Sequence, residues 1–362
     1  MPKESATRRP RGLGTAVRIE EVARLAGVSA ITVSRALNTP DKVAEKTREA
    51  VWEAIEKTGY IPNRLAGSLA SNRSHTIGVI IPTIINSIFA DKVQGMTDVL
   101  LKEGYHLMLA NSGYSLEVEA DLVSAFVAQR PSGLVLTGVS HADRTRTLLG
   151  RAGIAVVETW SLSEEPIDML VGFSNEKAAH AMVRHLHGLG YRKIGLVSAP
   201  VEHNDRAASR VAGYRRAVRE CGLPEARSLE REAAFSFRNG ALALASLVEA
   251  HPDMDAIFFA NDILAAGALL ECQRRGIAVP DEFGIAGFDD VDLAAETVPG
   301  LTTVRIPRYE IGARAAQLIL DRIAGRESND RIIDLGFEIV SRGSTRAAPV
   351  VQPRPALRRA DA

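Results

Sequence analysis

The chain has 362 residues, 46% of them hydrophobic and 24% charged, which is typical of a globular protein with two or three domains. The longest stretch without Asp, Glu, Lys or Arg, residues 74–90, contains Pro82 and several hydroxyl groups, so we expect no membrane span. No apolar segment follows the basic N-terminus, so the pattern predicts no secretory signal and a cytoplasmic protein. Cys221 and Cys272 are too few for a disulfide framework or a thiolate metal site.

The overall net charge of zero conceals a difference between the two ends of the chain. Residues 1–75 hold 13 Lys and Arg against 8 Asp and Glu, a net charge of +5, and the remaining residues carry a net charge of −5. The N-terminal fifth therefore suits an anionic partner, although a solvated basic tail would give the same count.

Three short helical segments follow a basic N-terminal arm. Residues 1–17 are rich in Arg, Pro and Gly without periodicity and are predicted to be disordered. After this arm the apolar residues recur at helical spacing: Gly27 ends the first segment, Ser29 can cap the second, and the third covers about residues 45–58. The pattern predicts an all-α domain over residues 18–62.

The rest of the chain alternates between strands and helices. Short β-rich runs, such as residues 76–81 and 193–198, are separated by amphipathic helical stretches. This alternation predicts an α/β core over residues 75–345, with two similar lobes built on parallel sheets and a small-molecule cleft at the carboxyl ends of the strands. The tail, residues 346–362, shows no pattern and is predicted to be disordered.

The first two helical segments have the spacing of a helix-turn-helix motif. Residues 19–38 read IEEVARLAGVSAITVSRALN, which is a helix, a glycine turn and a second helix. A turn this short makes the helices cross steeply, so the second helix can enter the major groove of DNA. Any small three-helix bundle gives a similar periodicity, so the spacing alone leaves both interpretations open.

The residues within this run resemble those of the LacI/GalR family of bacterial transcriptional repressors. The matching motifs are Val22-Ala23, Ala26-Gly27-Val28-Ser29, Thr32-Val33-Ser34-Arg35, Lys46-Thr47-Arg48, and Gly59-Tyr60-Ile61-Pro62-Asn63-Arg64 leading to Leu69-Ala70. The two predicted lobes are similar to periplasmic sugar-binding proteins, which extends the resemblance over nearly the whole chain. It implies a repressor of carbohydrate catabolism genes, without a cofactor, that binds a pseudo-palindromic operator as a homodimer or a tetramer and responds to a small-molecule effector.

The resemblance also implies which residues contact DNA. They are Ser29, Ala30, Ile31, Thr32, Ser34, Arg35 and Asn38, followed by Asn63, Arg64, Ala66 and Leu69. Arg35 would read a base edge, and the short polar side chains of the second helix would bind phosphate. Ile31 is apolar where relatives often have a polar base reader, which favours contact with a thymine methyl unless the side chain is merely packed. Ala44 replaces a helix-capping Ser of the family, a loss worth about 1 kcal/mol.

Residues 63–74 resemble the hinge helix of the family. Asn63 would cap this helix, Ala66 would let a partner helix approach, and Leu69 stands at the position of the minor-groove wedge. A helix this short, weakened further by Gly67, is not stable in water and is expected to form only on DNA. The alternative is that the segment is only a linker.

Effector contacts are predicted at loops that follow strands of both lobes. By the resemblance they are Phe89, Thr137, Glu158, Trp160, Arg210, Phe235, Asn261 and Asp289. Arg210 would bind an anion or a pair of hydroxyls, with Arg206 or His203 nearby. Asn261 and Asp289 would bond to hydroxyls, and the two phenylalanines would form flat apolar walls. Any one of the polar residues could instead brace the two lobes.

The segment after the fourth strand departs from the family pattern. Many relatives place an Asp there to hold sugar hydroxyls, but this chain has Trp160, with Glu158 expected on the same face of an extended segment. This run and residues 171–175, 271–274 and 334–337 most resemble the gluconate-utilisation branch of the family. That branch implies a sugar acid such as gluconate or 2-ketogluconate as effector, and a neutral sugar, a polyol or a purine is the alternative.

The sequence contains no pattern typical of an enzyme. It has no phosphate-binding glycine loop, no Gly-x-Ser-x-Gly elbow and no dinucleotide-binding loop. His185 and His187 are only two residues apart and the other histidines are scattered, so no metal site is predicted. A free-standing transport binding protein would need a signal peptide and no helix-turn-helix, so the predicted function is transcriptional regulation.

Overall fold

The computed structural model describes residues 17–60, 74–326 and 330–347. The chain divides into two compact units, with the boundary in the sequence between Ser74 and His75. Residues 17–60 are called the headpiece below, and the described residues from 75 onward are called the core. The predicted fold class, an all-α headpiece followed by a two-lobed α/β core with parallel sheets, is confirmed. None of the described helices is long and apolar enough to cross a membrane.

The headpiece is a bundle of three helices around one small apolar cluster. The helices are α1 (Ile19–Ala26), α2 (Ala30–Asn38) and α3 (Glu45–Thr58). Gly27 takes a left-handed φ of 67° in the turn, and the Ser29 hydroxyl caps α2 by accepting from the Thr32 amide at 3.2 Å. As expected, Ala44 starts α3 without a side-chain hydrogen bond. The cluster contains Val22, Ala23, Val33, Ala36, Val51, Ala54 and Ile55.

The first lobe of the core is a six-stranded parallel sheet, rich in Val, Ile and Leu, with helices packed on it. Its strands are β1 (Thr76–Ile81), β2 (His106–Asn111), β3 (Gly133–Thr137), β4 (Ala155–Thr159), β5 (Met169–Gly172) and β11 (Ile332–Asp334), in the order β11-β5-β4-β3-β1-β2. Its helices are α4 (Ile88–Lys102), α5 (Leu116–Ala128), α6 (Asp143–Ala152) and α12 (Arg308–Ile323).

The second lobe has the same construction on a smaller, four-stranded parallel sheet. Its strands are β6 (Ile194–Ser198), β7 (Glu230–Glu232), β8 (Ala256–Phe259) and β9 (Gly284–Ala286), in the order β7-β6-β8-β9. Its helices are α7 (Asn175–Gly188), α8 (Asp205–Glu220), α9 (Phe237–Ala250), α10 (Asp262–Arg275) and α11 (Asp292–Glu296). An antiparallel pair, β10 (Thr303–Arg305) and β12 (Glu338–Val340), runs between the lobes as part of their connections.

The chain passes between the lobes three times, after β5, after β10 and after β11. The helix α12 therefore returns to the first lobe, where it packs tightly on α4. A Cβ on Gly312 would lie 1.9 Å from the Lys92 carbonyl oxygen, and one on Gly95 would lie 2.2 Å from that of Tyr309. Sequence periodicity did not predict α12 or β11, because their place depends on partners far away in the chain.

Candidate DNA-reading face and interlobe pocket

The outer face of α2 presents side chains that the headpiece core does not use. Ile31 is 66% exposed, so the interpretation that it is merely packed is wrong. Arg35 is also exposed, whereas Val33 and Ala36 face inward. Thr32 lies beside the helix start, where its hydroxyl bonds to that of Ser29 at 2.9 Å. This face is available to an outside partner.

The structure describes the side chains of only some of the remaining predicted DNA contacts. Ala30 and Ser34 are partly exposed on α2. The side chain of Asn38 lies outside the described residues, as do Asn63, Arg64, Ala66 and Leu69 of the predicted hinge. Their roles stay predictions.

A pocket lies between the carboxyl ends of the two sheets. It is a narrow cavity of about 20 Å³, lined by Ile88, Phe89, Tyr114, Trp160, Ala199, Asn204, Arg206, Ala207, Arg210, Phe235, Ala260 and Asn261. This interlobe pocket has two aromatic walls. Phe89 and Trp160 of the first lobe have ring centroids 5.2 Å apart, and Tyr114 faces Phe235 of the second lobe at 6.1 Å.

The first turn of α8 docks the second lobe against the first beside this pocket. The Asp205 carboxylate accepts a hydrogen bond from the Val139 amide at 2.9 Å, and the Arg206 guanidinium donates to the Thr137 carbonyl at 3.2 Å. Gly138 makes room for this contact, since a Cβ there would lie 2.3 Å from an Arg206 nitrogen, and its φ of 97° favours glycine. The lobes are therefore in direct polar contact at the pocket edge.

The Arg210 side chain is held by its own lobe, including Asn175 at the start of α7. Its Nε donates to the Asn175 amide oxygen at 2.9 Å, and its Nη1 donates to the Ala260 carbonyl at 2.7 Å. Its Nη2 lies 3.5 Å from the Asp289 carboxylate, and the guanidinium stacks 3.7 Å from the Phe288 ring centroid. A ligand that binds Arg210 would have to replace one of these bonds.

The carboxyl group of Asp289 is buried beside this guanidinium. The Asn261 amide donates to its Oδ2 at 2.5 Å, whereas Oδ1 has no hydrogen bond among the described residues. Burial raises the pKa of Asp289 to about 6, although Arg210 acts in the opposite direction. Burial and the neighbouring Asp289 also raise the pKa of Asp262 well above its usual value. The charged forms of both carboxyl groups are therefore destabilised by the loss of their solvation.

Backbone strain is concentrated around the pocket. Trp160 has a φ of 81°, Tyr114 of 63° and Asp289 of 111°, a region that side-chain-bearing residues rarely adopt. Each such residue costs about 1–3 kcal/mol and persists only where its surroundings fix it, which is typical of binding sites.

Lys92 lies behind the pocket lining, and the sequence analysis missed it. It lies on α4 with no exposed surface, and its Nζ is 2.6 Å from the Thr137 hydroxyl and 3.2 Å from the Thr159 hydroxyl. The same atom lies 5.6 Å from the Phe89 ring centroid and 5.7 Å from that of Trp160. Burial, followed by repulsion from a nearby arginine, lowers the pKa of Lys92 to about 7. The missed signal is a lysine in the apolar stripe of a predicted helix.

The structure brings most of the predicted effector residues together. Those that line the interlobe pocket are Phe89, Trp160, Arg210, Phe235 and Asn261. Thr137 and Asp289 lie directly behind the lining and bond to it. Of the two side chains expected near Arg210, Arg206 lines the pocket, whereas His203 is exposed and does not.

The expected place of Glu158 is corrected by the structure. Its carboxylate is buried away from the pocket, where it accepts from the Ile167 amide at 2.6 Å and pairs with His141 Nε2 at 3.2 Å. The other ring nitrogen of His141 lies 2.6 Å from Glu119. The strand ends at Thr159 and the backbone turns at Trp160, so the alternation that predicted a shared face does not continue. Among the described residues, no group of three or more His, Cys, Asp or Glu side chains is placed to hold a metal ion.

A helix-turn-helix with an exposed outer face, joined in one chain to a two-lobed core with a polar pocket, defines a DNA-binding transcriptional regulator with a ligand-binding core. Residues 18–63 match the family model described as bacterial regulatory proteins, lacI family, and residues 183–345 match that of a periplasmic binding protein-like domain. The HTH-type transcriptional regulator GntR of Pseudomonas aeruginosa is 37% identical over 329 residues, which cover 90% of this chain and 95% of that protein. The chain belongs to the lacI family, as its motifs predicted.

Solved structures agree with this assignment. A LacI family transcriptional regulator from Silicibacter pomeroyi superposes with a TM-score of 0.86 at 31% identity, over 91% of this chain and 100% of that chain. The lac repressor dimer bound to operator and the anti-inducer ONPF superposes with a TM-score of 0.79 at 26% identity, over 92% of this chain and 100% of that chain. The two-lobed core is therefore shared with solved transcriptional regulators, one of them bound to operator DNA.

Proposed function

We propose that this regulator is a repressor that binds a pseudo-palindromic operator as a homodimer and releases it when a sugar acid occupies the interlobe pocket. The observation that carries the proposal is the pocket itself, in which buried guanidinium groups and polar side chains from both lobes stand between aromatic walls. A sugar acid offers the matching groups, a carboxylate, a row of hydroxyls and an apolar C–H face.

Arg206 is the best-placed partner for the carboxylate. Its Nη1 bonds to the Thr137 carbonyl and to Asp205, whereas its other nitrogens have no hydrogen-bond partner among the described residues. The side chain is buried and lines the pocket, so a ligand carboxylate can bind it without breaking an existing bond. Arg210, whose donors are already engaged, is suited to a second contact.

Two buried polar atoms suit the hydroxyls of such a ligand. Trp160 Nε1, a donor in the pocket lining, has no hydrogen-bond partner within the described ranges, and Asp289 Oδ1, an acceptor behind the lining, has the Arg210 guanidinium at 3.5 Å but no hydrogen bond there. Unsatisfied buried polar groups are costly, which favours a ligand that supplies the missing partners. These two atoms come from different lobes.

Relief of repression follows from contacts to both lobes. The chain enters the first lobe at Thr76, directly after the segment that connects it to the headpiece. A ligand that changes the position of one lobe relative to the other would therefore move the first lobe in each subunit of the dimer. That movement would change how each headpiece is positioned for binding DNA. Coupling of this kind is typically about 1–3 kcal/mol, or about 5–150-fold in DNA affinity.

The homodimer follows from the geometry of DNA reading. One headpiece reads only a half-site, so two-fold protein symmetry requires a two-fold operator of roughly 14–20 base pairs. The lac repressor, solved as a dimer on its operator, supports this arrangement for a chain of the same architecture.

The experiment begins with an operator selected from random DNA by the full chain. Operator affinity is then measured by fluorescence anisotropy with gluconate, 2-ketogluconate, glucose, sorbitol and a purine. We expect affinity to fall about 5–150-fold with a sugar acid and to change little with the neutral ligands. A response to a neutral sugar or a purine alone would contradict the sugar-acid assignment, and equal binding to a single half-site would contradict the dimer.

A further inference from the structure

We propose that Lys92 supplies the charge that determines the ligand specificity of the interlobe pocket. From its place behind the aromatic wall, Lys92 favours a carboxylate ligand without contacting that ligand. The inference rests on the proposed function and names the feature by which the pocket distinguishes a sugar acid from the corresponding neutral sugar. Lys92 is a positioning residue, since the ligand would meet Phe89 and Trp160 rather than the ammonium group.

The first argument is that Lys92 is a buried amine with no anion beside it to stabilise its protonated form. It has no exposed surface and makes no ion pair with a carboxylate among the described residues. Removing an ammonium group from water is strongly unfavourable unless an opposite charge compensates. Proteins retain a buried group of this kind at sites where a ligand supplies the opposite charge.

The second argument is the direction of the hydrogen bonds around Nζ. The Thr137 hydroxyl donates to the Ile80 carbonyl at 3.0 Å, and the Thr159 hydroxyl donates to the Leu136 carbonyl at 2.6 Å. With these protons committed, both hydroxyl oxygens can only accept from Lys92. The ends of β3 and β4 thus hold Lys92 Nζ in place as a donor, whether it is an amine or an ammonium group.

The third argument is the balance of charge around the pocket. Arg206 has Asp205 at 2.9 Å, and Arg210 has Asp289 at 3.5 Å. Lys92, once a ligand anion stabilises its protonated form, is the cation left over in this wall. One unpaired positive charge matches a monoanion such as a carboxylate, whereas a phosphate dianion would exceed it.

The fourth argument is the low polarity of the material between Lys92 and the pocket. Phe89 and Trp160 line the pocket, Lys92 does not, and all three side chains are buried, so the field of the ammonium group is weakly screened. A charge at this depth favours an anion at any position along the wall. It therefore selects the charge of the ligand, and leaves its hydroxyl pattern to other residues.

The test compares gluconate with gluconamide, which has the same hydroxyls and no charge. Calorimetry on the full-length parent chain should show gluconate binding at least about tenfold more tightly than gluconamide. In Lys92→Met, which keeps the length of the side chain in its aromatic surroundings, gluconate affinity should fall at least about tenfold while gluconamide affinity stays within about threefold. Lys92→Gln, which keeps a donor to the threonines, should lose the same preference. Lys102→Met, at the exposed end of the same helix, should keep it.

The outcomes separate the two proposals. If the parent binds gluconate and both Lys92 variants still prefer it over gluconamide as strongly as the parent does, this inference is wrong and the proposed function stands. If the parent binds no sugar acid, the proposed function fails and this inference fails with it. If glucose 6-phosphate binds in a Lys92-dependent manner and gluconate does not, the charge serves a phosphate and the carboxylate assignment is overturned.

Discussion

The headpiece and the core place their charged side chains in opposite ways. Among the described side chains of the headpiece, none that is polar or charged is buried, and its ion pairs, such as Lys57 with Glu53, are exposed. The core buries a series of charged groups, which comprises Lys92, Glu119, Glu158, Arg206, Arg210, Asp262 and Asp289. Most of these already contact one another or nearby polar groups.

This difference separates the energetic roles of the two regions. An exposed charge contributes little to folding, so a headpiece side chain can be selected for its contact with DNA alone. A buried charge is tied to its partners, so a change in the pocket alters the stability of the core as well as its ligand. The predictions below test this separation, from the largest expected effect to the smallest.

Arg210→Ala should reduce the free energy of unfolding of the core by about 3–5 kcal/mol, because it leaves the Asp289 carboxylate buried without its cation. Urea denaturation followed by circular dichroism measures this loss. The double variant with Asp289→Asn should regain part of it. A loss below about 1 kcal/mol would mean that the pocket pair behaves like a surface pair.

The stability of the core should depend on pH through His141. Burial alone would lower its pKa, but hydrogen bonds and charges of Glu119 and Glu158 raise it to about 9. Because the folded-state pKa lies above the unfolded value of about 6.5, the contribution, at most about 3 kcal/mol, is present below pH 6.5 and is lost as pH rises through 9. Thermal melts from pH 6 to 10 should show a steeper decline for the parent than for His141→Gln. Parallel curves would exclude this role.

Arg35→Ala should weaken specific operator binding by about 1–3 kcal/mol without changing the melting temperature, because the side chain is exposed and would contact only DNA. Anisotropy titrations with the selected operator and with random DNA measure the effect. Lys57→Ala, which removes an exposed ion pair on α3, is the matched control. An equal loss on both DNAs would assign Arg35 to phosphate instead of a base.

Ala44→Ser should stabilise the headpiece by about 1 kcal/mol, because α3 starts without a side-chain cap and the backbone at residue 44, with a φ of −57° and a ψ of 142°, is already non-helical as an N-cap requires. The melting of the headpiece signal in calorimetry measures the gain. Ala44→Val offers no hydroxyl and should give none, so a similar gain from both would exclude capping as the cause.

The sequence predicted the headpiece well because its signals are local. The third helix, expected over residues 45–58, is observed as Glu45–Thr58, since Gly59 stops it with a left-handed φ of 64°. Ser29 caps α2 as expected. Each of these features depends on residues within a few positions of one another.

The core was predicted in class and less completely in detail. The strand-helix alternation predicted parallel sheets and pocket residues after strands, such as Phe89 and Asn261. It could not predict that Glu158 turns toward His141, because this depends on the backbone of Trp160 and on contacts between separate segments. The sequence analysis missed Lys92 because a polar residue on a buried helix face is treated as an exception to the apolar pattern.

The three passages of the chain between the lobes restrict how such regulators can be recombined. The headpiece is one continuous stretch, so a single junction between Ser74 and His75 would transfer it, with the predicted DNA contacts of residues 63–69, to another core. The first lobe has no such junction, because α12 is encoded after the whole second lobe yet packs on α4. A crossover within the core would unite α4 and α12 of different parents, and Gly95 and Gly312 leave no space there for a mismatched side chain. New ligand responses are therefore expected to spread among relatives as intact cores.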